Sequence, residues 1–136
     1  MAKAGVTAVT LPGTSFYLML GKFAQARKMI DAGVRVAIAT DYNPGTSPTE
    51  NLQAIMTFAC FGMKLTPEEI IKSMTLNAAY AVGRQQEIGS IEKGKKADIV
   101  IFDAANIDYV VYHYGINHVE TVIKNGKIVV KDKQIV

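Results

Sequence analysis

Asp41 closes the apolar run Val36-Ala37-Ile38-Ala39 and is followed within five positions by Asn43, Gly45 and Thr46. A run of that kind reads as a strand buried on both faces, and a carboxylate at its mouth is expensive to leave unpaired. Asp41 must therefore bind a metal, accept N–H bonds from the loop that follows, or pair with a cation. The plainer alternative is that it caps the turn from Asn43 to Thr46. Ser47, however, already offers a cap for the next helix, which leaves Asp41 free for chemistry. A calcium loop of the EF-hand kind is excluded by spacing, because Gly45 and Glu50 both arrive too early.

The loop itself has the composition of a ligand cradle. Asn43 offers amide donors, Gly45 a side-chain-free approach, and Thr46 a hydroxyl, all ahead of a helix start whose dipole favours an anionic group. An ordinary Asn-Pro-Gly turn has the same residues, and only the neighbouring Asp41 tips the balance towards ligand binding. The two histidines, His113 and His118, lack the spacing of a paired ligand motif on one helical turn and read as structural or surface residues. Ser15 is without the glycine pattern of a hydrolase nucleophile. Cys60 lies in a helical apolar pattern with Met56 and Phe61 and no basic neighbour, so it reads as buried and inert.

These residues need a scaffold, and the sequence predicts an α/β one. Met1 to Gly5 has the character of a helix's last turn closed by glycine, as though the chain began partway through a repeating unit of a longer protein. Val6 to Leu11 reads as a buried strand. A helix capped by Thr14 or Ser15 follows, with Phe16, Met19, Leu20, Phe23, Ala26 and Ile30 on one face and Gly33 at its end. The strand Val34 to Ala39 comes next, so strand, helix and strand make a right-handed crossover between parallel neighbours. Ser47-Pro48-Thr49-Glu50 reads as a capping box for a helix running to about Phe61, before Gly62. Leu65-Thr66-Pro67-Glu68-Glu69-Ile70 repeats the device, with Leu65 and Ile70 as a hydrophobic staple. A short helix over Asn77 to Val82 is closed by Gly83.

Near Arg84 helical patterning gives way to β-rich segments, which places a boundary between residues 1–84 and 85–136. Ile88 to Ile91, Ala97 to Phe102, Val119 to Lys124 and Lys127 to Val130 are the expected strands. Asn125-Gly126 between the last two is a type I′ hairpin signal. Tyr109 to Tyr114 is expected to be partly helical, ended by Gly115 or Asn117.

Composition limits the partners. The 136 residues carry a net charge of +3, with 49% hydrophobic and 20% charged residues, which describes one globular chain able to bury a core. The basic residues Lys93, Lys95 and Lys96 sit in a glycine turn and read as solvated, so no nucleic-acid partner is expected. No apolar segment approaches a membrane span and the amino terminus lacks a signal-peptide core, so a cytoplasmic protein is expected.

Four stretches carry a family resemblance: Leu11-Pro12-Gly13-Thr14-Ser15-Phe16-Tyr17, Ala39-Thr40-Asp41-Tyr42-Asn43-Pro44-Gly45-Thr46-Ser47, Thr75-Leu76-Asn77-Ala78-Ala79, and the segment from Gly89 through Lys96-Ala97-Asp98-Ile99-Val100. Together they resemble the carboxyl-terminal third of the imidazolonepropionase family, within the amidohydrolase superfamily. The resemblance implies the last two β/α units of a (β/α)8 TIM-type barrel, Val6 to Leu11 and Val34 to Ala39 being the strands, with the residues after Arg84 in a small β-sandwich. It implies that Asp41 binds a mononuclear zinc or iron and handles the proton of the attacking water, and that Asn43, Gly45 and Thr46 contact a small-molecule substrate. The implied reaction opens 4-imidazolone-5-propanoate to N-formimino-L-glutamate, in histidine degradation.

The family's His-x-His pair and its further metal-binding histidine have no counterpart in the chain. One carboxylate does not make a catalytic zinc site, which takes three protein ligands. The isolated chain is therefore expected to be inactive. The alternatives are another amidohydrolase or deaminase of the superfamily, or a non-catalytic module. Exposed edges of two parallel strands favour self-association, and a homo-oligomer is expected.

Overall fold

β1 (Thr7–Thr10) and β2 (Arg35–Ile38) lie side by side and parallel, paired from Thr7 with Arg35 to Thr10 with Ile38, in a computed structural model that describes residues 1–136. Val36, Ala37 and Ile38 are all buried, as a strand covered on both faces requires. β1 departs from the fully buried strand expected there, because Ala8 and Thr10 point inward while Val9 is 51% exposed. The inward Thr10 hydroxyl is not left unpaired: it donates to the carbonyl oxygen of Ala37 at 3.0 Å. A single turn of 3-10 helix over Ala2–Ala4, closed by Gly5, precedes β1.

The connection between the strands is not the one continuous helix that the apolar spacing predicts. α1 (Pro12–Tyr17) and α2 (Ala26–Asp31) are separate, and residues 18–25 between them are irregular. Met19 at φ 50 and Gly21 at φ 67 take the left-handed conformation, which ends a right-handed helix. The apolar residues find partners individually. Phe16 stacks on Phe58 with ring centroids 4.3 Å apart, and Phe23 lies so close to Gly62 that a Cβ there would fall 2.6 Å from its ring.

α3 (Leu52–Met63) also starts later than expected. Its cap is Asn51, whose side chain accepts from the amides of Gln53 at 3.0 Å and Ala54 at 3.2 Å. Ser47, expected as the cap, is instead buried and donates to the carbonyl oxygen of Thr40 at 2.6 Å. The helix passes through Gly62 and is closed by Lys64 in the left-handed conformation, φ 58. α4 (Pro67–Met74) begins with the expected reciprocal capping box of Thr66 and Glu69, and the flanking Leu65 and Ile70 are both buried. α5 (Leu76–Ala81) follows, with Gly83 at φ 71 just beyond it.

After residue 84 the chain builds one antiparallel sheet in the order β3 (Ile99–Phe102), β4 (Val119–Lys124), β5 (Lys127–Lys131) and β6 (Gln134–Ile135). The Asn125-Gly126 turn has both residues at positive φ, 49 and 77, as the type I′ hairpin demands. A second two-residue turn, Asp132-Lys133, leads into β6, which the sequence did not announce. Ile88 to Ile91 forms no strand. Gly89 at φ 93 folds this segment against α5, where a Cβ would meet that of Ala79 at 2.7 Å. α6 (Ile107–Tyr112), capped by Asn106, covers part of the stretch expected to be helical. Its Val110 and Val111 are buried in one apolar cluster with Val36, Ile38, Ile55 and Ile70. No helix is long and apolar enough to cross a membrane.

Candidate functional site

Asp41 stands three residues beyond the end of β2, half-buried, with φ 55. Aspartate is among the few residues that tolerate this left-handed backbone, because its short side chain bonds locally. Here, however, the carboxylate bonds across the fold. The hydroxyl of Thr14 donates to Oδ2 at 2.8 Å from the first turn of α1, four residues beyond the end of β1. Parallel pairing of the two strands brings these two residues together from 27 positions apart. Thr14 was expected as a helix cap; the observed cap position is Leu11, with Pro12 at the first helical position.

Asn43 organises the loop behind Asp41. Its Nδ2 donates to the carbonyl oxygen of Asp41 at 2.6 Å and to the Thr46 hydroxyl at 2.9 Å. Its Oδ1 accepts from the amides of Gly45 at 2.9 Å and Thr46 at 2.8 Å, while its own amide donates to Ser47 O at 3.1 Å. The side-chain amide and the Thr46 hydroxyl are thus engaged with each other and with the loop backbone. Gly45 differs: it is exposed, and a Cβ there would meet only Asn43 Oδ1, at 3.5 Å. The expected helix starts later in the chain than the sequence implied, at Leu52, so Thr46 does not lie in its first turn.

The other candidates lie elsewhere. His118 is buried, with Nε2 3.3 Å from the carbonyl oxygen of His113, and its amide donates to Gln53 Oε1 at 2.9 Å. His113 stacks on Tyr109 with centroids 3.9 Å apart. Burial pushes the Cys60 thiol up, with Asp108 adding to the effect, which disfavours the reactive thiolate. An open groove of about 820 Å³, lined by Phe102, Asp103, Tyr109, His118 and Lys133 among others, includes no residue of the Asp41 loop.

No three His, Cys, Asp or Glu side chains gather anywhere in the chain. Asp41 supplies one carboxylate whose Oδ2 is taken by Thr14, leaving Oδ1 without a partner from the chain. That fits one ligand position of a catalytic zinc or iron and not the set of three. Chemically, the site offers a fixed carboxylate beside an approachable backbone at Gly45.

The imidazolonepropionase of Alkaliphilus metalliredigens is 62% identical over 136 residues, covering 100% of this chain and 32% of that protein. That of Treponema denticola is 59% identical over 136 residues, covering 100% of this chain and 33% of that protein. The chain spans about a third of the length of the curated relatives it matches. A zinc-bound adenosine deaminase from Xanthomonas campestris superposes with a TM-score of 0.88 at 26% identity, over 99% of this chain and 34% of that one. The zinc complex of atrazine chlorohydrolase from Arthrobacter aurescens TC1 shares the fold, with a TM-score of 0.85 at 21% identity over 99% of this chain and 33% of that one. With the amidohydrolase family model matched over residues 21–129 as well, the chain belongs to the amidohydrolase family.

Proposed function

We propose that this chain is the carboxyl-terminal third of a metal-dependent amidohydrolase of the imidazolonepropionase kind. Its reaction is the hydrolysis of 4-imidazolone-5-propanoate to N-formimino-L-glutamate. The observation that carries the reading is 62% identity over all 136 residues, a span that includes Asp41 and its loop. On this reading β1 and β2, with their helices, are the last two units of a (β/α)8 barrel. Residues 85–136 belong to a β-sandwich, and the division falls between 84 and 85.

The Asp41 carboxylate takes a proton from the attacking water as oxygen bonds to the ring carbonyl carbon. It returns that proton to the ring nitrogen as the C–N bond breaks. A zinc or iron ion, when bound, lowers the pKa of that water, with Asp41 as one of its protein ligands. The loop from Asn43 to Thr46 borders the substrate, with Gly45 giving it room and Asn43 keeping the loop in shape. The remaining metal ligands come from residues outside this chain, and the chain alone is inactive. The enzyme works in the cytoplasm and self-associates.

The test is a ring-opening assay with metal analysis on the complete gene product, on its Asp41→Asn variant and on the isolated chain. Turnover is expected only from the first. Turnover with stoichiometric metal from the isolated chain overturns the reading. The deaminase structural match supports a second reading, in which the substrate is an aminated ring that loses its amino group to water. Relative turnover of imidazolone and aminated ring substrates by the complete enzyme separates the two.

A further inference from the structure

The interaction that the reaction scheme leaves unused is the one between Thr14 and Asp41. Thr14 lies in the first turn of α1, where no carbonyl oxygen of an earlier helical turn is present to take its hydroxyl, and it donates to Asp41 Oδ2 at 2.8 Å. A hydroxyl on a carboxylate is a charge-assisted bond, stronger than a neutral one, and fixes the acceptor's orientation.

Both ends of this bond are held by packing. Pro12 and Gly13, immediately before Thr14, are buried. Gly13 lies so close to its neighbours that a Cβ there would meet Ile55 Cδ1 at 2.6 Å and Ser47 Oγ at 3.2 Å. Ser47 in turn donates to the carbonyl oxygen of Thr40, the residue before Asp41. The turn after β1 and the loop after β2 therefore form one packed unit, and the hydroxyl and carboxylate meet across it.

We propose that Thr14 is a positioning residue for Asp41, holding Oδ2 so that the carboxylate keeps one orientation and Oδ1 remains available for the reaction. The proposal rests on the reacting role given to Asp41 above. Partners of this kind, one step behind the reacting group, are worth about 10- to 100-fold in activity or metal affinity when removed.

The test uses the complete enzyme with Thr14→Val, Thr14→Ser and Thr14→Ala, and Asp41→Asn as reference. Thr14→Val preserves shape and removes the donor. It is expected to lower kcat by about 10- to 100-fold with little change in KM, and to lose metal faster on dialysis against a chelator. Thr14→Ser, which keeps the hydroxyl, is expected to restore both. If the valine variant does not fold, the contrast between Ser and Ala decides the matter in the same way. Wild-type kcat and metal retention in the donorless variants, with turnover lost in Asp41→Asn, overturns the positioning role and leaves the reading of the site intact. Loss in Thr14→Ser with Thr14→Val at the wild-type level overturns it too, since packing of the γ-methyl group, which valine keeps and serine lacks, would then be responsible. Full turnover by Asp41→Asn removes the premise for both.

Discussion

The hydroxyl of Thr57 donates to the carbonyl oxygen of Val111 at 2.8 Å, and both residues are buried. This bond joins α3 to α6, on opposite sides of the change in composition near Arg84. Thr57→Val is nearly isosteric and leaves the Val111 carbonyl buried without a partner, at a cost of about 1–3 kcal/mol. Urea unfolding of the purified chain should show the midpoint falling with the slope unchanged.

Gly13→Ala tests how tightly the two loops pack. The added methyl group would sit 2.6 Å from Ile55 Cδ1, which is too close without movement. Overpacking of this kind costs about 1–3 kcal/mol, read as a lowered Tm.

Where the sequence was legible, the signal was local. Thr66 and Glu69 cap each other across three positions, and Asn125-Gly126 is sufficient by itself to set a hairpin. Where several local solutions were equally good, tertiary contacts decided. Ser47 and Asn51 are both good caps, but the carbonyl oxygen of Thr40 draws Ser47 inward and leaves the helix to Asn51. The apolar spacing from Phe16 to Phe23 suits one long helix, yet Phe23 packs against Gly62 and the backbone reverses hand at Met19. In the site, Asp41 and the loop to Thr46 stood out because strand end and turn residues are adjacent in sequence. Thr14 did not, because its contact with Asp41 exists only once β1 and β2 are in register.

Asn43→Ala should loosen the loop behind Asp41. It removes the acceptor for the Gly45 and Thr46 amides and the donor to the Asp41 carbonyl oxygen. Each such bond is worth about 0.5–1.5 kcal/mol, so amide exchange at Thr46 should quicken by roughly tenfold. Asn43→Asp keeps the acceptor and should leave that amide protected. Hydrogen exchange followed by NMR reads both variants.

Acid should weaken the tie between α2 and α4. The Arg27 guanidinium donates to both oxygens of Glu69, with the Thr66 amide adding to the effect, and holds its carboxyl below the usual 4.5. A depressed folded pKa means that the pair stabilises above the ordinary value and that this contribution disappears as pH falls through the folded one. Glu69→Gln retains an N3 residue suited to the capping box but removes the charge. The stability gap between wild type and Glu69→Gln should be flat near neutral pH and close below about 4.5.

The β4–β5 hairpin and the parallel β1–β2 pair differ in how much chain each must gather. β4 and β5 are joined by two residues, whereas Thr7 must find Arg35 before β1 and β2 can pair. A hairpin forms in about 1–10 μs, while pairing distant parallel strands first has to overcome the entropy of closing the intervening loop. The β4–β5 hairpin is therefore expected to form before the parallel pair. Since Thr14 and Asp41 are juxtaposed by that pairing, their contact is expected to form only after it. Substitutions in β1 or β2 that slow their docking should then delay that contact without disturbing the hairpin.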